Sequence, residues 1–244
     1  MRELRSVIVT AGAFLMALAW GASAEVFPTA RAETPASGSE VPKWQAAPGE
    51  EAEAIRALID SAQKALAGGK SVSAVLSDPR FDDAHPYPRF RELIRKNAPV
   101  GDVTLISARE PGEHMTLTLQ LDKPNQLIYA YHTDARGAYA KNGVHVQAVA
   151  GDFKHARLFA YVRTGSDGAA TLHTIRPIGY PHGELPQHVH FHVEPSDATV
   201  GEIWFSDDPR LTPAMREHGK NEALIVTPVK NASGWIATGK IETR

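Results

Sequence analysis

One tyrosine and two histidines, Tyr180, His188 and His190, stand within eleven residues of one another. The histidines are two positions apart in a run typical of a β-strand. Because alternate side chains of a strand share a face, both should point the same way. Tyr180 follows a turn containing proline and glycine, which can fold it back toward that face. A phenolate and two imidazoles converging on one point form a hard, anionic metal site. Such a site suits ferric iron better than zinc, which prefers thiolates, imidazoles and carboxylates.

Two motifs surround these residues: Thr174 to Pro181 reads TIRPIGYP, and Pro186 to Phe191 reads PQHVHF. Both resemble motifs of the intradiol ring-cleavage dioxygenases, the non-haem ferric family that includes catechol 1,2-dioxygenase and protocatechuate 3,4-dioxygenase. The family's first run is threonine-isoleucine-arginine/lysine-proline-glycine-proline-tyrosine-proline, so Ile178 and Gly179 replace its glycine-proline pair. The second run is proline-any-histidine-hydrophobic-histidine-phenylalanine.

A third stretch, Tyr131 to Tyr139, reads YHTDARGAY. It is similar to the family's motif tryptophan-histidine/glutamine-alanine-aspartate/asparagine-any-any-glycine-any-tyrosine, with Tyr131 in the tryptophan position. The resemblance covers Val103 to Thr243 and implies a metal site of four ligands: Tyr139, Tyr180, His188 and His190.

The resemblance also implies an activity. The protein would be an Fe(III)-dependent enzyme that opens a small, catechol-type aromatic diol with O2 to a muconate-type product. Tyr139 would be a displaceable ligand and a catalytic base. Two positions depart from the family: Leu185 stands where an arginine is usual, and Glu202 stands where a glutamine is usual. Glu202 is the second candidate catalytic residue, beside Tyr139.

Two alternatives to catalysis follow from the same residues. Loss of a cation near developing negative charge can cost roughly 3 kcal/mol. The departures at Leu185 and Glu202 therefore favour a non-catalytic exported β-sandwich that binds iron or a catecholate. In the second alternative the fold binds no metal, and His188 and His190 lie on a solvent-facing strand edge.

The elements that must position these residues change character along the chain. Helical spacing of apolar residues predicts helices over 50–67, 71–76 and 88–97. From Val103 onward the period becomes alternating, with turn residues between the runs. The predicted strands are Met115–Leu121, Leu127–His132, Val144–Val149, Leu158–Val162, Ala170–Ile175, Gln187–Glu194, Val200–Phe205, Ala223–Thr227 and Trp235–Ile241. The fold class is therefore all-β, and the resemblance implies an intradiol dioxygenase-like β-sandwich with an N-terminal helical segment.

The chain divides into four predicted segments. Residues 1–24 have a basic start, a short apolar core and an Ala-Ser-Ala site, which indicate a cleaved signal peptide. Residues 25–49 form a flexible leader, 50–100 a helical accessory segment, and 101–244 the β-sandwich iron-binding domain. We expect a secreted or periplasmic protein without a membrane span after signal cleavage. A net charge of −2 gives no argument for nucleic acid as a partner, and the absence of cysteine excludes disulfides.

Overall fold

Ten strands in two mixed sheets dominate the computed structural model, which describes residues 53–139, 156–181, 183, 185–194, 200–218 and 223–241. The first sheet contains, in spatial order, β4 (Leu158–Arg163), β3 (Leu127–His132), β6 (His188–Glu194), β7 (Val200–Phe205) and β8 (Ala223–Val226). The second sheet contains β1 (Asp102–Thr104), β5 (Ala169–Ile175), β2 (His114–Leu121), β10 (Gly234–Ile241) and β9 (Val229–Asn231). The predicted all-β class is confirmed.

Most neighbouring strands run antiparallel, but each sheet also contains parallel pairs. In the first sheet β7 pairs with β8 in parallel, and the other three pairings are antiparallel. In the second sheet β1–β5 and β10–β2 are parallel. The short strands β1 and β9 were not predicted, and the predicted strand Val144–Val149 lies outside the described residues.

The inner faces of the two sheets form the core of a sandwich. Alternate residues of each strand supply it, because successive side chains point to opposite faces. The first sheet contributes Ile128, Ala130, Val189 and Ile203, and the second contributes Leu117, Leu119, Leu172 and Ala237, all buried in one cluster. A hydrogen bond crosses this core, from the Thr174 hydroxyl on β5 to Nε2 of His132 on β3, at 2.7 Å.

Three helices precede the strands: α1 (Glu53–Ala67), α2 (Val72–Leu76) and α3 (Pro88–Lys96), with a 3₁₀ turn (Pro79–Phe81) before α3. Their ends follow local chemistry. The Ser71 side chain caps α2 by accepting from the Ala74 amide at 3.1 Å, and proline opens α3, where its missing N–H costs nothing. A fourth helix, α4 (Pro213–His218), was not predicted.

The helical segment packs on the outer face of the first sheet. The ring of Phe90, from α3, lies 6.3 Å from that of Phe159 on β4, and the imidazole of His85 lies 5.6 Å from the same ring. The outer face of the first sheet is thereby covered at its β4 edge. None of the helices in the described part of the chain combines the length and apolarity needed to cross a bilayer. The predicted segments 1–24 and 25–49 lie outside the described residues.

Candidate metal centre

Four side-chain atoms from three separate segments meet beside the middle of the first sheet. Tyr139 Oη and Tyr180 Oη are 2.6 Å apart, and Tyr180 Oη lies 3.1 Å from Nε2 of His188. His188 Nε2 and His190 Nε2 are 3.1 Å apart, and His190 Nε2 lies 3.0 Å from Tyr139 Oη. These four contacts close a ring of two phenol oxygens and two imidazole nitrogens, which we call the four-atom cluster.

Strand β6 places the two imidazoles. His188 and His190 are alternate residues of this strand, so both side chains project from one face of the sheet. His190 stands opposite Tyr131 of β3 on one side and Glu202 of β7 on the other. The Tyr131 ring stacks on the imidazole of His190, with centroids 4.6 Å apart and planes 16° apart. The central position of β6 thus fixes the orientation of His190 from both neighbouring strands.

Both imidazoles turn Nε2 toward the cluster and Nδ1 toward an acceptor oxygen. His188 Nδ1 lies 2.7 Å from the carbonyl oxygen of Pro186. A carbonyl oxygen only accepts, so Nδ1 of His188 carries the proton. His190 Nδ1 lies 3.3 Å from Glu202 Oε1, and a carboxylate likewise accepts. When the ring proton is on Nδ1, the inward Nε2 of each ring presents a lone pair, which is the tautomer of a metal-ligating histidine.

The four-atom cluster has fewer protons than contacts. Each contact needs one hydrogen atom, yet with both Nε2 atoms unprotonated only Tyr139 and Tyr180 can supply one each. The lone pairs of His188 and His190 then face each other at 3.1 Å. A cation in contact with all four atoms would replace these repulsions with attractions. The donor set therefore fits a metal ion.

Burial makes the electrostatics of this site strong. Tyr139 is 2% exposed and His188 is 3% exposed. Burial, together with the nearby Tyr180 hydroxyl, raises the pKa of Tyr139 above its ordinary value. Burial also raises the pKa of Tyr131. A phenolate at Tyr139 therefore needs a neighbouring cation, and binding of a metal ion to this phenolate must release a proton.

Two loops bring the tyrosines together. Gly137 has φ +78°, and a Cβ atom there would lie 2.6 Å from the carbonyl oxygen of Gly179. Only glycine permits this backbone conformation and this close approach. The Thr133 hydroxyl donates to the carbonyl of Ile178 at 2.6 Å and ties the loops a second time. Buried Asp134 accepts hydrogen bonds from two backbone amides of its own loop, which leads to Tyr139.

A buried carboxylate joins the Tyr180 loop to the start of β6. Asp208, 4% exposed, accepts from the backbone amides of Gln187 at 2.5 Å and Arg210 at 2.8 Å. The Arg210 guanidinium in turn donates to the carbonyl of Tyr180 at 3.1 Å. The chain after β7 therefore holds both of the segments that carry Tyr180 and His188.

The other candidate residues take different positions. Glu202 reaches His190 on the Nδ1 side, away from the cluster, and its Oε2 accepts from Trp204 Nε1 at 2.7 Å. Leu185 is 38% exposed. Arg176 is directed elsewhere, since its guanidinium donates to Asp207 and lies 4.2 Å from the Trp235 ring centroid.

A second group of ligand atoms includes the glutamate. His188, His190 and Glu202 offer atoms within 4.8 Å of one another and could hold a metal ion. We favour the four-atom cluster, because its neighbouring atoms are no more than 3.1 Å apart and Glu202 contacts the outer nitrogen of His190. Sequence reasoning did not assign the supporting roles of Tyr131 and Trp204. The period-two spacing of Glu202 and Trp204 on β7 is the signal that could have revealed this pair.

No protein-family profile matches the chain, and no curated protein matches it. Among solved structures, the chain is similar to the dioxygenase domain of a dioxygenase carbohydrate-binding protein fusion from Streptomyces sp. SirexAA-E. The identity is 19%, the coverage is 60% of this chain and 88% of that chain, and the TM-score is 0.43. Catechol 1,2-dioxygenase from Pseudomonas arvilla C-1 has 18% identity, coverage of 60% and 56%, and a TM-score of 0.44.

An intradiol ring-cleavage dioxygenase from Tetranychus urticae has 14% identity, coverage of 58% of this chain and 84% of that chain, and a TM-score of 0.44. The similarity spans little more than half of the length of the Pseudomonas arvilla enzyme. Intradiol dioxygenases, the family inferred from the motifs, thus recur among the solved structures that this chain resembles.

Proposed function

We propose that this chain is an exported, Fe(III)-dependent intradiol-type dioxygenase that opens a catechol-type aromatic diol with O2. The observation that carries the proposal is the four-atom cluster, in which two phenol oxygens and two imidazole nitrogens lie 2.6–3.1 Å from their neighbours. Two phenolates and two neutral imidazoles form a hard donor set with two negative charges. Such a set favours a trivalent iron over softer divalent metals.

The roles of the residues follow from their positions. When bound, Fe(III) would act as a Lewis acid that draws electron density from a chelated diol and makes its ring carbons reactive toward O2. Tyr180, His188 and His190 would hold the metal, and Tyr139, as a phenolate, would accept a proton from one hydroxyl of the diol. The buried surroundings of Tyr139 exclude water from this transfer. Both atoms of O2 enter the muconate-type product, so the reaction needs no external reductant.

A second candidate function is the binding of iron or a catecholate without turnover. It is favoured by Leu185, an uncharged side chain at the position where the family has an arginine. Without a positioned cation, negative charge that develops on the ring has one stabilising group fewer. Arg176 does not replace that cation, because it pairs with Asp207.

The experiment that separates these functions is a visible spectrum of iron-reconstituted protein before and after addition of catechol in air. The proposed enzyme shows a phenolate-to-Fe(III) charge-transfer band that shifts with catechol and then decays as O2 is consumed and a muconate forms. A band that shifts and persists indicates binding without cleavage. A colourless, iron-free protein would rule out both functions.

A matched pair of variants tests the ligand assignment. Tyr180→Phe should lose the charge-transfer band and most of the iron, because it removes one phenolate of the cluster. Tyr161→Phe is the control, since Tyr161 lies on the outer face of the same sheet and stacks on Tyr129 at 4.6 Å, outside the cluster. Iron content equal to wild type in Tyr180→Phe would contradict the assignment.

A further inference from the structure

Glu202 lies between two side chains that can only donate to it. Its Oε2 accepts from Trp204 Nε1 at 2.7 Å, and its Oε1 lies 3.3 Å from His190 Nδ1. We infer that Glu202 is a positioning residue, which holds the tautomer and orientation of His190 and is itself held by Trp204. This inference rests on the proposed function, in which His190 Nε2 is a metal ligand.

The chemistry of the two neighbours requires a carboxylate. The indole N–H of Trp204 can only donate, and His190 must donate through Nδ1 if Nε2 is to face the metal. A carboxylate offers two acceptor oxygens, one for each neighbour. An amide at this position offers one oxygen, so its NH2 group would face one of the two donors. The presence of Trp204 therefore explains a glutamate at residue 202.

The surroundings make this contact effective. The side chains of His190 and Glu202 are 13% and 27% exposed, so the pair is only partly screened by water. Tyr131 stacks on one face of the imidazole at 4.6 Å and limits its tilting, whereas Glu202 contacts the ring edge and limits its rotation within the ring plane. An anionic acceptor on Nδ1 also raises the basicity of Nε2, as outer partners of ligating histidines generally do.

The competing assignment is direct coordination by Glu202, since its carboxylate lies within 4.8 Å of ligand atoms of both histidines. The geometry disfavours it. Glu202 approaches His190 from the Nδ1 side, whereas the cluster lies on the Nε2 side, and Oε2 is already bonded to Trp204. Coordination would require the carboxylate to leave both neighbours.

The test is a double-mutant cycle of Glu202→Gln, Trp204→Phe and the double variant. Fe(III) affinity is measured by chelator competition. Glu202→Gln should weaken Fe(III) binding about 10- to 100-fold, the usual loss when an outer partner of a ligand is altered. The double variant should bind iron more tightly than Glu202→Gln alone, because removal of the indole N–H frees the amide oxygen for His190.

Glu113→Gln is the matched control. Glu113 also accepts from an indole, Trp235 Nε1 at 2.8 Å, but it is exposed, directly precedes β2 of the second sheet and should leave iron affinity unchanged. Additive effects in the cycle, or wild-type affinity in Glu202→Gln, would overturn the positioning role. A loss of iron in Glu202→Gln as complete as in His190→Ala would instead show that Glu202 is a ligand.

A readout without metal separates this inference from the proposed function. Long-range ¹H–¹⁵N NMR of the metal-free protein should show the His190 ring protonated on Nδ1 in wild type and a mixture of tautomers in Glu202→Gln. If wild type binds no Fe(III) but the tautomer depends on Glu202, the proposed function fails and the positioning role stands. If iron binds and the tautomer is unchanged by Glu202→Gln, the positioning role fails alone.

Discussion

The two sheets of this sandwich share one core but use their outer faces differently. In the second sheet, β2 alternates buried residues with more accessible ones, and its outer face carries threonines such as Thr116 and Thr118. In the first sheet, β3 and β4 are buried at nearly every position. The outer face of β3 and β4 holds Tyr129, Tyr131, Phe159 and Tyr161, and beside it on β6 stand the two histidines of the cluster.

This difference shows where a fold of this kind can hold a charged cofactor. Electrostatic interactions strengthen as water is excluded, so phenolates and a cation attract each other far more on a covered face than on an open one. The helices cover the first sheet at its β4 edge, and Tyr139 and Tyr180 contact the histidines of β6. The second sheet offers comparable polar side chains, among them His173, but on a face open to solvent.

The largest expected effect is on iron affinity. It is tested by removing one histidine from each sheet and comparing the two variants. His188→Ala should weaken iron binding by more than about 100-fold, because a ligand contributes more than the outer partners whose loss costs 10–100-fold. His173→Ala should leave iron binding unchanged, since His173 pairs with exposed Asp102. Chelator competition on both proteins checks this prediction. Equal affinities would mean that the covered face has no special role in metal binding.

The second prediction compares how much one substitution on the outer face of each sheet lowers the free energy of unfolding. Phe159→Ala should cost about 3–5 kcal/mol, because the buried ring packs against His85, Phe90 and Tyr129. Thr118→Ala, on the outer face of β2, should cost less than about 1 kcal/mol, since its hydroxyl contact with Thr171 at 3.3 Å is half-exposed. Urea denaturation gives both values. A cost below 1 kcal/mol for Phe159→Ala would show that the helices do not cover this face.

Much of the fold was predictable because both sheets share an alternating pattern. The long strands were placed to within about two residues, since one apolar face per strand must be buried. The short strands β1 and β9 were missed, because three residues carry no period. Helix α4 was missed because its start depends on Thr212, whose hydroxyl accepts from the Met215 amide at 3.2 Å, and not on an apolar stripe.

The site was predictable at the level of motifs, and less so at the level of contacts. The sequence placed His188 and His190 on one face of a strand, and the structure has them there. The sequence could not reveal that Glu202 contacts His190, because the register of β7 against β6 decides that the two residues stand opposite each other. The role of Asp208 depends equally on tertiary contacts, since Gln187 and Asp208 are twenty-one residues apart.

The third prediction concerns His132, which joins the inner faces of the two sheets. Burial lowers the pKa of His132 to about 4. The unfolded chain, with a histidine pKa near 6.5, binds the proton first, so stability is lost as pH falls from about 6.5 toward 4. Between pH 7 and pH 5 this group should remove about 2 kcal/mol from the free energy of unfolding.

Urea denaturation of wild type and His132→Gln at both pH values checks this prediction. The variant loses the titrating group while keeping a polar side chain that can reach Thr174. Its stability should therefore change by about 2 kcal/mol less than that of wild type over the same interval. An identical pH dependence would mean that His132 is not the titrating link between the sheets.

The smallest effect should come from the hydrogen bond between a histidine and an aspartate on the open face of the second sheet. His173 Nε2 and Asp102 Oδ2 are 2.6 Å apart, but their side chains are 41% and 60% exposed. Asp102→Asn should therefore cost less than about 1 kcal/mol at low ionic strength, and added salt should reduce the cost further. Thermal unfolding of both proteins in low and high salt measures it. A cost of several kcal/mol that persists in high salt would show that the outer face of the second sheet is shielded from water, and would remove the contrast between the two outer faces.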